Sequence, residues 1–332
     1  MTRSNPRRVY SSAGRRRRAL GRAAIAVIVL LALVLAWNGV ADQVPPTTHR
    51  AVRVRDTDEP LPFHPHLAWP GEGQAAVAVG GFGTLGTSGG ERPVPIASLA
   101  KVMTAYLVLR DHPLEPGEEG FEIQISEADV EDLQRRIALN QSVVAVEAGE
   151  VLSERQALEA LLLPSANNVA ALLAVHSAGS VDAFVDEMNE AAAELGMRKT
   201  RYTDPSGFED TTISTAADQL KLGRAAMADP TFAQIVAMPS TVLPVVGEVD
   251  NFNELVGQEG FVGIKTGSDK AAGGCLLFAK RIDVGGHTRT VLGAVLGQRE
   301  GDFIQAALAA ANRLAASAAT AVSRASRSRA AR

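Results

Sequence analysis

Three short segments of the chain carry residues whose types and spacing suit acyl-transfer chemistry. The first is Ser98-Leu99-Ala100-Lys101, set in the apolar run 95–109. In a helix this i, i+3 spacing puts the serine and the lysine one turn apart on one face. The run is apolar on nearly every side, so the helix is expected to be central and buried, where a lysine is costly without a purpose or a partner. Burial and a neighbouring cation both depress a lysine pKa, leaving a neutral amine that can take the serine proton. Free N–H groups at the helix start would lie near Ser98, where an oxyanion could form. On its own, S-x-x-K sits on many ordinary helix surfaces.

The second segment is Pro164-Ser165-Ala166-Asn167. Because a proline pushes the preceding residue out of helical geometry, Ser165 and Asn167 are presented at a junction between two helices. A hydroxyl there could relay a proton to a leaving group, and an amide could hold a substrate backbone group. Taken alone, helix capping explains the pair more simply. The third segment, Lys265-Thr266-Gly267-Ser268, closes a strand. Lys and Thr beside a glycine suit antiparallel binding of an extended peptide. Lys265 could attract a carboxylate and lower the Lys101 pKa, and Thr266 could hydrogen-bond a terminal carboxylate. A lysine that guards a sheet edge is the ordinary alternative.

In the order S-x-x-K, S-x-N, K-T-G the three segments are far more specific than any one alone. With them, the chain resembles the low-molecular-mass penicillin-binding proteins, the serine-type D-alanyl-D-alanine carboxypeptidases, over residues 66–315. Three further phrases agree: Asp204-Pro205-Ser206-Gly207, Ser214-Thr215-Ala216-Ala217-Asp218 and Asn251-Phe252-Asn253-Glu254-Leu255. The resemblance implies an α+β fold of β-lactamase/transpeptidase type, with an antiparallel five-stranded sheet flanked by helices and an inserted helical region. It implies catalytic roles for Ser98, Lys101, Ser165, Asn167 and Lys265, and substrate contacts from Lys265, Thr266, Gly267 and Ser268. Ser98 would attack the penultimate D-Ala carbonyl of a peptidoglycan stem peptide, terminal D-Ala would leave, and water would release the acyl group. Backbone N–H groups of Ser98 and Ser268 would form the oxyanion hole. β-Lactam antibiotics would acylate Ser98 as mimics of D-Ala-D-Ala, and neither cofactor nor metal is expected. Asp204 stands where this family usually has Asn, Asn168 where Asp is common, and Ser268 where a larger residue is frequent.

Rival readings share much of this pattern. A class A β-lactamase adds a glutamate in an E-x-x-L-N setting, and no such pentapeptide lies between Asn167 and Lys265. A DD-endopeptidase, cutting crosslinks, would carry the same motifs. An inactive wall-binding scaffold would have little reason to keep a buried lysine.

The elements that must position these groups are visible in outline. Strands are predicted over 74–79 and, weakly, 83–87, then again over 261–266, 274–280 and 288–296, the last two joined by a hairpin turn at 283–286. Between them the chain reads as helical. A capping box at Ser153-Glu154-Arg155-Gln156 opens a helix through Leu163, and further helices are expected over 167–176 and 181–195. Strands, then helices, then strands imply an antiparallel sheet whose first members rejoin the later ones. A last helix is expected over 303–314, with residues 316–332 as a disordered Ala/Ser/Arg tail carrying Arg324, Arg327, Arg329 and Arg332 and no acid.

Ahead of this body, residues 1–22 form a basic segment, 23–41 an uncharged run, 42–70 a proline-containing linker, and the catalytic region is expected over 71–315. Nineteen uncharged residues behind an arginine cluster read as a single-pass anchor with its N terminus in the cytoplasm and the catalytic body outside. Cleavage near Ala41, releasing a secreted body, is the competing expectation. Of the 33 basic residues, eight arginines fall in 1–41, and the rest of the chain has an excess of acid, which argues against a nucleic-acid partner. The single cysteine, Cys275, excludes an internal disulfide and is expected to be a buried core thiol. His64 and His66 lie in the linker without a third ligand nearby, and no HExxH pattern occurs.

Overall fold

The computed structural model describes residues 65–330. The basic segment 1–22, the uncharged run 23–41 and the linker up to residue 64 lie outside the described residues. Among the described residues no single helix is long and apolar enough to cross a membrane.

The chain enters through β1 (Gln74–Val79) and β2 (Gly83–Ser88), then a short β3 (Val94–Pro95). A single 3-10 turn, Ala97–Leu99, leads into α1 (Ala100–Asp111). Next come β4 (Glu122–Gln124), α2 (Glu127–Ala138), β5 (Val151–Ser153), α3 (Glu154–Leu162), α4 (Asn167–Ala178) and α5 (Val181–Glu194). After β6 (Ile213–Ser214) follow α6 (Ala216–Ala226), α7 (Pro230–Val236), and the hairpin β7 (Ser240–Leu243) and β8 (Gly247–Asp250). The chain closes with β9 (Phe261–Asp269), β10 (Gly273–Val284), β11 (His287–Gln298) and α8 (Phe303–Ala330).

The main sheet has the order β2-β1-β11-β10-β9, so the N-terminal strands do rejoin the C-terminal ones. All its pairings are antiparallel, from Gln74 opposite Leu296 at β1–β11 to Lys265 opposite Leu277 at β9–β10. The sheet is buried on both faces, and the side chains alternate between two cores. Ala76, Ala78, Leu277, Leu292 and Ala294 face the helical insertion with α1 at its centre. Ala75, Val77, Leu276, Phe278, Val291 and Val295 pack against α8. β9 is an edge, which leaves one line of backbone donors and acceptors open beside the K-T-G segment.

The capping box at Ser153 forms as expected, with Gln156 as its partner. Three elements not anticipated from periodicity carry equally plain start signals: Ser126 with Asp129 for α2, Thr215 for α6, and Asp229 followed by Pro230 for α7. The C terminus differs from expectation. Residues 316–330 are not a disordered tail but the second half of α8, and a boundary at 315 cuts through one helix. The reason is packing: Ala315, Ala318, Ala321, Val322 and Ala325 are buried, while Arg313, Arg324 and Arg327 lie exposed on the outer side. Small side chains allow the helix to lie close over the sheet, so a composition that reads as low complexity is an amphipathic face.

Candidate active site

The serine–lysine pair forms where the 3-10 turn passes into α1. Ser98 is half-buried, and Lys101 is completely buried. Lys101 Nζ donates to Ser98 Oγ at 2.8 Å and to the Ser206 carbonyl at 2.9 Å. Burial, foremost, and the Lys265 charge hold the Lys101 amine well below its ordinary value, with Arg136 acting the same way and Asp204 opposing. An amine within hydrogen-bond reach of a hydroxyl, largely stripped of water, is equipped to accept that hydroxyl's proton.

The K-T-G strand lies directly against this turn. A side chain at Gly267 would bring its Cβ to 2.9 Å from the Ser98 backbone N, so only glycine permits the approach. Lys265 and Thr266 are buried and Ser268 is exposed at the strand's outer end. Lys265 Nζ has no hydrogen-bond partner, and burial lowers its pKa to about 7. A charge buried without a partner is costly, and burial accordingly drives this amine toward its neutral form.

Ser165 and Asn167 occupy the expected break between α3 and α4. Ser165 takes a left-handed backbone (φ 66°), rare for a residue with a side chain, and its Oγ is buried without a hydrogen bond. Neither residue caps α4 through its side chain, so the simpler capping explanation does not hold. Asn167 Nδ2 donates to Gln141 Oε1 at 2.9 Å, and Arg136 Nη1 donates to the same oxygen at 3.2 Å. Asn167 Oδ1 is left buried and unpartnered. Asn168 is turned away into a two-way bond with Val144.

Two contributors, Gln141 and Arg136, were not identified from sequence, and the Asp204-Pro205-Ser206-Gly207 phrase was noted there without a role. Thr104 Oγ1 donates to the Pro205 carbonyl at 2.6 Å, which fastens this loop to α1 beside Lys101. A Cβ at Gly207 would fall 1.8 Å from the Ala97 carbonyl oxygen, so the loop too touches the Ser98 turn through a glycine. An Asp ahead of Pro-Ser-Gly is a turn signature that marks a structured loop, without saying what it embraces.

This arrangement can be set beside known proteins. The model of peptidase S11, D-alanyl-D-alanine carboxypeptidase, matches residues 85–296, which contain all three motifs. The chain belongs to this family. Relatives within it include a D-alanyl-D-alanine carboxypeptidase of Mycobacterium tuberculosis, 37% identical over 189 residues, 54% of this chain and 59% of the relative. Another is a D-alanyl-D-alanine endopeptidase of Escherichia coli, 34% identical over 195 residues, 55% of this chain and 58% of the relative. The matches thus span under two thirds of the length of these curated relatives. The crystal structure of a Streptomyces DD-transpeptidase superposes with a TM-score of 0.64 at 27% identity, covering 77% of this chain and 98% of that one. The fold of this S11 member is therefore the penicillin-binding/transpeptidase fold, with its five-stranded antiparallel sheet.

Proposed function

We propose that this protein is a serine-type D-alanyl-D-alanine carboxypeptidase that removes the terminal D-Ala of peptidoglycan stem peptides through an acyl-enzyme on Ser98. The observation that carries this reading is the Lys101–Ser98 hydrogen bond at 2.8 Å, with the unpartnered Lys265 as the second cation at the same site.

In the first step Lys101 Nζ takes the Ser98 proton while Oγ bonds to the penultimate D-Ala carbonyl carbon. The carbonyl oxygen becomes an oxyanion between the N–H groups of Ser98 and Ser268. As the C–N bond breaks, the proton passes to the departing D-Ala nitrogen, with Ser165 Oγ as relay. Asn167 Oδ1 accepts from a substrate backbone N–H. Lys265 and Thr266 hold the terminal carboxylate, and Gly267 keeps the strand close enough for both contacts. Water then attacks the ester by the reverse path, regenerating Ser98. A β-lactam would follow the acylation half of this route. The E. coli relative's name points to the same chemistry on a crosslinked peptide, and substrate length would separate the two activities.

We further propose that residues 23–41 anchor the chain in the membrane with the catalytic body on the extracytoplasmic side. Its support is the uncharged run behind the arginine cluster.

The test is the intact mass of the full chain after exposure to a fluorescent penicillin, beside Ser98→Ala. One adduct per chain, lost in the variant and slowly released, is expected. Rapid turnover of penicillin would favour a β-lactamase instead, and no adduct on a folded protein would sink the catalytic reading. Release of D-Ala from a stem pentapeptide, compared with cleavage of a crosslinked dimer, separates carboxypeptidase from endopeptidase. For the anchor, retention in washed membranes that is lost on deleting 1–41 is expected, whereas a soluble mature form beginning near Asp42 would refute it.

A further inference from the structure

The loop that supplies the Ser206 carbonyl to Lys101 is organised around one carboxylate. Asp204 Oδ2 accepts from Ser206 N at 3.0 Å, Ser206 Oγ at 2.6 Å and Phe208 N at 3.0 Å. Asp204 Oδ1 accepts from Thr212 Oγ1 at 2.7 Å and, weakly, from Glu209 N at 3.4 Å. Five donors on one side chain fix the path of residues 204–209, and with it the carbonyl that receives the Lys101 amine at 2.9 Å.

Loop shape alone does not require a carboxylate. An asparagine could accept the three Oδ2 bonds through its carbonyl, and the Thr212 hydroxyl could turn to accept from its amide. Only the long Glu209 bond would be lost. What asparagine would not supply is charge. Of the charged groups acting on Lys101, Asp204 is the anion, while Lys265 on β9 and Arg136 on α2 are cations. The Ser206 carbonyl and the Asp204 carboxylate both favour the proton-bearing amine, against burial and the two cations.

We propose that Asp204 is a positioning residue for the serine–lysine pair: it holds the Ser206 carbonyl on Lys101, and its negative charge raises the lower pH limit at which the pair can acylate. This rests on the reading of Ser98 and Lys101 as nucleophile and base. The sign follows from the chemistry. A nearby anion keeps the lysine protonated to higher pH, so the neutral base appears later as pH rises, and removing the anion moves that point down.

The deciding experiment is a titration of full-length protein labelled with ¹³C at the lysine ε-carbons, with the Lys101 signal assigned by its loss in Lys101→Met. Asp204→Asn should lower the Lys101 midpoint by roughly half to one pH unit. Asp204→Glu, which keeps the charge but displaces it, should leave the midpoint within about 0.3 unit. Acylation by a chromogenic cephalosporin is followed across the same pH range. In the Asn variant the acidic limb should move down with the NMR midpoint. In the Glu variant the limb should stay and the plateau fall about tenfold. An unmoved midpoint in Asp204→Asn overturns the charge effect, and an unmoved plateau in Asp204→Glu overturns the positioning effect. Loss of folding in Asp204→Asn refutes the claim that an amide can hold this loop, and the Glu variant then carries the test of position. If the unaltered protein is never acylated, the reading of Ser98 fails, while the NMR midpoint still decides the electrostatic claim.

Discussion

Two buried lysines sit on neighbouring strands of one sheet, and the fold treats them in opposite ways. Lys280, opposite Phe261 in the β9–β10 register, has its Nζ 4.7 Å above that phenyl ring and 3.2 Å from the Glu259 carboxylate. Lys265, opposite Leu277, is buried on the side of the helical insertion with no partner at all. A cation with a ring and a carboxylate is a finished structural contact. An amine with neither is held in a costly state, and burial drives it toward neutrality. The surroundings do not repeat the contrast: Asn312 Oδ1 on α8 lacks a hydrogen-bond partner, as do Ser165 Oγ and Asn167 Oδ1 in the helical insertion.

The largest expected effect on that contrast comes from Lys101. Lys101→Ala should lower acylation by about 10³-fold or more, measured as the pseudo-first-order rate with a fluorescent penicillin. A loss under tenfold would remove Lys101 as the base. Lys265→Met should lower kcat/KM for a carboxylate-bearing substrate by about 10²-fold while raising stability by roughly 2 kcal/mol at pH 7, read by urea unfolding. The sign is set by linkage. The unfolded lysine stays protonated up to its ordinary 10.5 and the folded one only to about 7, so the folded state loses stability as pH falls through that interval. A destabilised Lys265→Met would mean that the cation has a partner after all.

The pH profile should then be bell-shaped. On the acid side Lys101 gains its proton and ceases to be a base. On the alkaline side Lys265 loses its proton past about 7 and with it the attraction for carboxylate. A substrate ending in an amide should lack the alkaline fall, and its persistence there would assign that limb elsewhere. Smaller still, Gln141→Ala should cost about three- to tenfold in kcat/KM, because the Asn167 amide loses the acceptor that fixes its orientation. The smallest effect belongs to the finished contact. Lys280→Met should change stability by no more than about 1 kcal/mol and leave acylation unchanged. A tenfold drop in acylation would break the distinction between the two lysines.

Much of this was legible in the sequence where the signal is local. The i, i+3 spacing of Ser98 and Lys101, the proline before Ser165, the capping box at Ser153 and the hairpin at 283–286 each need only a few neighbouring residues. Less legible were contacts closed over long separations. Gln141 reaches Asn167 across 26 residues, and Ser206 reaches Lys101 across 105. No periodicity encodes either. The Ala/Ser/Arg stretch after 315 was misjudged for a related reason. Its helix is held by alanines against β10 and β11, and an alanine reads as core only once the opposing surface is known.

By itself the sequence determined the family, the return of the first strands to the last ones, and the three motif segments. Those depend on residue type and short spacing, which the chain carries without folding. Only the tertiary structure decided which of two lysines would be left without a partner, which carbonyl would receive Lys101, and that Gly267 and Gly207 would let strand and loop close on the Ser98 turn. Those depend on desolvation and on distances between remote parts of the chain, and both are set when the core packs.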